Sequence, residues 1–149
     1  MPTVCQRSPS QPAGSADLPV AVSSIVNAGG QAAGIEADVF TRTGCDALLA
    51  EALSRYGRID ILVNAAGIIQ NGSIEDTTLD AWDKMMNINL RSMFYLTQKV
   101  MPHLVASKGN VVNVSSVTGL RAFPNVLAYC VSKAGTDQFT RCVALEMAP

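Results

Sequence analysis

The 149-residue sequence is short of the side chains on which most hydrolytic and metal-dependent chemistry relies. It holds a single histidine, His103, so a Ser-His-Asp relay and a histidine metal cluster both have too few parts. His103 itself reads as a solvated helix position. The four cysteines, at 5, 45, 130 and 142, form no C-x-x-C pair and have no histidine at zinc spacing. Free thiols in a reducing, cytoplasmic compartment are expected, with no metal site. Charged residues make up only 15% of the chain and the formal net charge is −1, which fits neither a disordered chain nor a basic module that binds nucleic acid or another polyanion. No uninterrupted apolar run approaches the ~18 residues of a spanning helix, so no membrane partner is expected. What the sequence does have is apolar mass. At 48% hydrophobic and 15.7 kDa it suits one domain that could bury roughly 70% of its unfolded surface.

Residues 1–19 differ from the rest. Pro2, Pro9, Pro12 and Pro19 stand among Ser8, Ser10 and Ser15 with no hydrophobic period, which predicts a disordered tail before a domain over 20–149. Beyond it, helical and extended patterns alternate. A short helix is expected over 20–28, ending at Gly29 and Gly30, then a strand over 32–38. Cys45, Leu48, Leu49, Ala52, Leu53 and Tyr56 recur at helical spacing before Gly57, with Glu51 and Arg55 able to pair on the wet side. Strands follow over 59–64 and 111–114. Between them a helical region over 79–107 has Thr77 or Thr78 as N-cap and Pro102 as a kink or break. A last helix covers 126–147. This order is that of an α/β fold with a parallel sheet wrapped by crossover helices.

The chemistry gathers in the second half. Tyr129 and Lys133 stand four apart on the last helix, on one face, with Cβ atoms about 5–6 Å apart. At an effective dielectric near 20 a lysine cation would favour the phenolate by ~3 kcal/mol, or about 2 pKa units before solvent screening. That moves a phenol toward proton transfer near neutral pH. Alone, such a pair is more often surface decoration. Ser116, however, follows the 111–114 strand, and Asn64, Ala65, Ala66 and Gly67 follow the 59–64 strand, at the carboxyl ends where parallel sheets form ligand crevices. Asn89, inside the long helix, costs helix propensity and needs either a task or a satisfied burial. Ser116 lies between Ser115 and Val117, so no hydrolase elbow is present. Glu75, Asp76, Asp80 and Asp83 read as a solvated loop and helix start.

Asn-Ala-Ala-Gly at 64–67, Asn-Ile-Asn-Leu at 87–90, Asn-Val-Ser-Ser at 113–116 and Tyr-Cys-Val-Ser-Lys at 129–133 together resemble the short-chain dehydrogenase/reductase family. Within it the sequence looks closest to 3-oxoacyl-(acyl-carrier-protein) reductase-like members. The resemblance implies a Rossmann-like doubly wound parallel sheet and an oxidoreductase that moves a hydride between NAD or NADP and a carbonyl or alcohol substrate. Tyr129 would be the acid or base, Lys133 would hold the nicotinamide ribose and lower the tyrosine pKa, and Ser116 would hold the reacting oxygen. Asn89 would hold a water in a proton relay at a helix kink. Asp38 would contact adenine, and Asn64, Ala65, Ala66 and Gly67 would line the adenosine side. A homo-oligomer is implied for the intact family member.

The sequence departs from the family pattern at both ends. No T-G-x-x-x-G-x-G turn is present, and Gly30 to Gly34 precedes a strand and reads as a turn. In the family sheet order 3-2-1-4-5-6-7 the chain would supply strands 3, 4 and 5, a partial sheet with a gap between strands 3 and 4 and impaired cofactor binding. The alternative functional reading is a catalytically silent, truncated variant that docks with full-length subunits through its two long helical regions.

Overall fold

The computed structural model describes residues 3–7 and 17–148. Among the described residues there are five α-helices and four strands, and the strand pairing is parallel. Strand β1 (Thr3–Arg7) pairs with β2 (Ala32–Glu36), Thr3 opposite Ala32 and Arg7 opposite Glu36, with α1 (Asp17–Asn27) as the crossover. Strand β3 (Ile61–Asn64) pairs with β4 (Asn110–Asn113), Ile61 opposite Asn110 and Asn64 opposite Asn113. The fold is thus a partial Rossmann-like α/β structure, and among the described residues its strands form two separate two-stranded sheets. No helix among them is long and apolar enough to cross a membrane.

The expectation of a structureless tail over 1–19 is corrected at two places. Thr3–Arg7 is a strand, so β2 has a parallel neighbour where none was expected, and α1 begins at Asp17. Thr3-Val4-Cys5-Gln6-Arg7 has no proline to remove a ladder donor, and Pro19 falls in the first helical turn, where its missing N–H has no intrahelical partner to lose. The rest of that stretch, 1–2 and 8–16, lies outside the described residues. Gly34, read as part of a turn, sits in β2, where a Cβ would lie 3.0 Å from Leu18 Cγ and 3.2 Å from Val22. Its bare Cα is what lets α1 lie close on the strand.

Helix α2 (Arg42–Tyr56) starts at Thr41, whose hydroxyl accepts from Gly44 N, and ends at Gly57 in the left-handed region at φ 71°. Thr78 caps α3 (Leu79–Met86) in the same way through Ala81 N. The chain then makes a π-helical turn, Asn87–Arg91, before α4 (Ser92–Ser107). Pro102 does not break α4: the helix runs five residues past it. After β4 come a 3₁₀ turn, Val117–Gly119, and α5 (Leu127–Glu146).

The main core joins the β2–α2 connection to the long helix. Val39, Cys45, Leu48, Leu96, Val100 and Leu104 are buried together, with Leu62, Ala66 and Val111 against them. Each such side chain stabilises the fold by about 1.5–3 kcal/mol. The other face of the β3–β4 sheet is bare: Ile61, Val63 and Val112 are 48%, 56% and 45% exposed. Strands of parallel sheets are ordinarily covered on both faces, and bare apolar strands invite pairing with another chain. Sedimentation of the chain alone should therefore show self-association that the double variant Ile61→Lys, Val63→Lys reduces; a monodisperse wild-type chain would refute this.

Cys45 is 1% exposed and its Sγ lies 3.1 Å from the Val39 carbonyl, to which it donates. Burial first, then the carboxylates of Asp46 and Asp38, push its thiol from 9.0 up to about 11. The folded state therefore keeps a proton that the unfolded chain loses, and the stabilisation, complete below pH 9, disappears as pH rises through 9 to 11. Urea unfolding of wild type and Cys45→Ala at pH 8 and pH 11 should show the wild type losing about 2 kcal/mol more than the variant over that interval.

Candidate active site

Three elements converge at the carboxyl end of β3 and β4, and a buried amide ties them. Asn89 lies in the π turn, 3% exposed. Its Oδ1 accepts from Ile68 N at 2.8 Å, while its Nδ2 donates to Ile68 O at 2.9 Å and to Ser132 Oγ at 3.0 Å. One side chain thus clamps the segment after β3 to α5. The π turn is what aims it inward: Ser92 N donates five residues back to Asn87 O, and the Ser92 hydroxyl takes up the Ile88 carbonyl at 2.7 Å. The asparagine that looked costly inside a helix is fully bonded at a deliberate irregularity.

Asn64, at the end of β3, performs a similar service one layer away. Its Nδ2 donates to Asn113 Oδ1 at 2.8 Å across the sheet and to Thr97 Oγ1 at 3.0 Å on α4. Asn113 in turn donates to Thr140 Oγ1 at 2.9 Å on α5. Ala65 and Ala66 join Val39, Asn64, Ser92, Met93 and Leu96 around a shallow cleft at the strand ends. Asp38, next to Val39, accepts from Phe40 N and Thr41, which orders the entrance to α2. Gly67 lies deeper. A Cβ there would sit 3.3 Å from Asn89 Oδ1 and 3.9 Å from Lys133 Nζ.

On α5 the buried positions are Ala128, Ser132, Lys133 and Thr136. Lys133 is only 7% exposed, and its ammonium donates to the Val114 carbonyl at 2.7 Å. The same Nζ lies 5.7 Å from the centroid of the Tyr129 ring, within range of a cation–π attraction. Burial pulls the lysine below its ordinary value, and the Asp137 carboxylate opposes that. Tyr129 is half-buried, with its main-chain carbonyl accepting from Ser132 Oγ at 2.8 Å.

Ser116 caps the 3₁₀ turn, its hydroxyl accepting from Thr118 N at 3.2 Å. The turn is seated on α5: Ser115 Oγ donates to Lys133 O at 3.3 Å, and Gly119 packs so closely that a Cβ would meet Lys133 O at 2.9 Å. Gly67, Asn89 and Lys133 are therefore in mutual reach, with Tyr129 under the ammonium and the Ser116 turn on the same helix. Asp38 stands apart, at the outer end of the cleft beside Val39. Sequence reasoning missed Ser132, fully buried between Asn89 and Tyr129, and Gly119. Ser132 lay inside the quoted Tyr-Cys-Val-Ser-Lys stretch, yet nothing in a serine marks it as a relay between helices.

Removing the Asn89 amide would strand the Ile68 N–H and carbonyl in a part-buried place, each at up to about 1–3 kcal/mol. Asn89→Ala should lower unfolding free energy by about 2–4 kcal/mol in urea, whereas the exposed neighbour Asn87→Ala should change it by less than about 0.5. Equal effects would show that the clamp is not what holds the three segments.

Comparison with known proteins agrees with this geometry. The family model for short chain dehydrogenases matches residues 13–149. The chain is 35% identical over 128 residues to a 3beta-hydroxysteroid dehydrogenase of Mediterraneibacter gnavus, covering 85% of this chain and 46% of that protein. It is 40% identical over 97 residues to the 3-oxoacyl-(acyl-carrier-protein) reductase FabG of Thermotoga maritima, covering 64% and 39%. A short-chain dehydrogenase/reductase from Caenorhabditis elegans, solved with cofactor, superposes with a TM-score of 0.86 at 36% identity over 98% of this chain and 54% of that one. The chain spans about half the length of the curated relatives it matches. By the family match, the fold and the shared motifs, it belongs to the short-chain dehydrogenase/reductase family of oxidoreductases.

Proposed function

We propose that these residues form the reacting end of an NAD- or NADP-dependent oxidoreductase acting on a small carbonyl or alcohol. The observation that carries this is the buried Lys133 ammonium, 5.7 Å from the Tyr129 ring centroid on the helix that seats the Ser116 turn. A cation there favours the phenolate, so Tyr129 gives its proton to a carbonyl oxygen in reduction or takes one from an alcohol in oxidation. The Ser116 hydroxyl steadies the same oxygen. Lys133 holds both the phenolate and the ribose hydroxyls. The Asn89 amide is spent on Ile68 and Ser132, so its side chain acts by positioning, and a proton relay at the kink falls to main-chain groups of the π turn.

The residues present fit the adenosine and ribose side of a dinucleotide. Gly67 offers a bare Cα beside Lys133, and Asn64, Ala65 and Ala66 line a cleft that reaches Val39, next to Asp38. The nicotinamide, when bound, supplies or accepts the hydride. The Gly-rich turn that cradles pyrophosphate in such folds has no counterpart in these 149 residues, so weak cofactor affinity is expected of them alone.

A second reading, a silent chain that docks on full-length subunits as part of an oligomer, draws on apolar side chains left open on α5, where Val131 is 45% and Leu145 80% exposed. Titration with NADH and NADPH, followed by Trp82 fluorescence, separates the two. Saturable binding with ketone turnover that falls about 10²–10⁴-fold in Tyr129→Phe supports the oxidoreductase. Turnover undiminished in that variant overturns the assignment of Tyr129, and absent binding with co-purification beside a full-length relative favours docking.

A further inference from the structure

Helix α5, which carries Tyr129 and Lys133, begins without help from its own side chains. Val126 stands at the N-cap position and makes no side-chain hydrogen bond to the first turn. A distant piece of main chain holds this end instead. Gly72, in the segment after β3, pairs with Val126 in an isolated parallel bridge. Gly72 N donates to Asn125 O at 2.8 Å, and Leu127 N donates to Gly72 O at 3.1 Å. Leu127 is the first helical residue, so the bridge takes up an amide that a helix start leaves without an intrahelical partner.

Both sides of the bridge are shaped for it. Asn125 is exposed and holds φ 61°, in the left-handed region that asparagine enters more readily than most side chains. A Cβ on Gly72 would lie 2.5 Å from Thr77 Oγ1, a hydroxyl already engaged in donating to the Ser73 carbonyl. Asp76 Oδ1 accepts from both the amide and the hydroxyl of Ser73, so Gly72 leads into an ordered turn.

We propose that the Gly72–Val126 bridge holds Tyr129 beside Lys133, with Gly72 and Asn125 as positioning residues. This rests on the reading of Tyr129 as the acid or base and adds to it what keeps the phenol in place. The two members of the pair are anchored differently. Lys133 is buried and donates to the Val114 carbonyl, and Asn89 reaches Ser132 beside it. Tyr129 is half-buried and third in the helix, in the turn where helices fray. Its ring stays 5.7 Å from Lys133 Nζ only while that turn remains wound. The Ser132 hydroxyl supports the turn from within α5 through the Tyr129 carbonyl, and the bridge fixes its first residue to the segment after β3.

The chain has three tyrosines, Tyr56, Tyr95 and Tyr129, and four lysines, Lys84, Lys99, Lys108 and Lys133. Proximity within each pair can therefore be followed by NMR, as cross-peaks between tyrosine ring and lysine side-chain protons. Lys99 Nζ, 5.4 Å from the Tyr95 ring centroid, provides an internal control. Asn125→Val places a β-branched residue at positive φ, and should quicken amide hydrogen exchange at Leu127 about tenfold. The Tyr129–Lys133 cross-peak should weaken with it, while the Tyr95–Lys99 cross-peak and the exchange of amides 138–141, deeper in α5, stay unchanged. Asn125→Gly, which keeps the left-handed conformation without strain, should preserve both signals. Gly72→Ala, which presses on Thr77 from the other side of the bridge, should repeat the effect of Asn125→Val, and it decides the matter if circular dichroism shows Asn125→Val unfolded. Leu127 exchange no faster in the folded variant, or a Tyr129–Lys133 cross-peak undiminished when that exchange has quickened, overturns the proposal. Neither measurement uses cofactor or substrate, so the expected result beside absent turnover would count against the oxidoreductase reading and leave this one standing.

Discussion

The site depends on how one buried amide spends its hydrogen bonds. Asn89 reaches the backbone of Ile68 in both directions and the hydroxyl of Ser132, so the segment after β3, the turn between α3 and α4, and helix α5 have their relative positions set by a single side chain. Such a clamp works only where water is excluded and every partner is satisfied; a partly bonded buried amide would destabilise the same junction. The π turn is the backbone's accommodation to that demand. A regular α-helix would carry position 89 round by another fraction of a turn, whereas the extra residue in the loop closes on Asn87 and lets Asn89 face inward.

Electrostatics is then arranged on this rigid frame. Lys133 is buried by the same packing that positions it, and burial works against its charge. The Val114 carbonyl, the face of Tyr129 and the Asp137 carboxylate each favour the cation. A lysine in this position is neither a surface charge, which solvent would screen, nor a buried one without polar neighbours. Held between those limits, it can act on a neighbouring phenol at short range, which is the chemistry expected of an oxidoreductase in this family.

The sheet has a different character. Its pairs β1–β2 and β3–β4 are each parallel and each joined by a helical crossover, yet they are not paired with each other. The face of β3–β4 toward α4 is packed against the core around Leu96 and Val100, while the opposite face presents Ile61, Val63 and Val112 to solvent. Apolar residues on both faces are a pattern suited to a sheet covered on both sides. The relatives that match this chain are about twice its length.

Much of this could be read in the residues themselves. Alternation of helical and extended patterns placed every strand and α-helix after residue 20 to within a few positions, though not the π turn or the 3₁₀ turn, and Thr78 starts its helix while Gly29 and Gly57 end theirs as their chemistry demands. The four motifs at 64–67, 87–90, 113–116 and 129–133 named the family, because residue types at fixed spacing carry chemistry whatever the tertiary detail. The strand at Thr3–Arg7 was hidden by prolines nearby, since its pairing with β2 is a long-range event that local composition does not report. Pro102 does not break its helix, in which Val100 and Leu104 pack on the core. Only the folded chain could show that Asn89 bonds Ile68, that Ser132 lies between it and Tyr129, and that Gly119 presses on Asp137. Sequence determines which groups are available and on which face of an element they stand. Burial, and the hydrogen bonds and charges that burial makes strong, arise only when elements distant in the chain close upon one another.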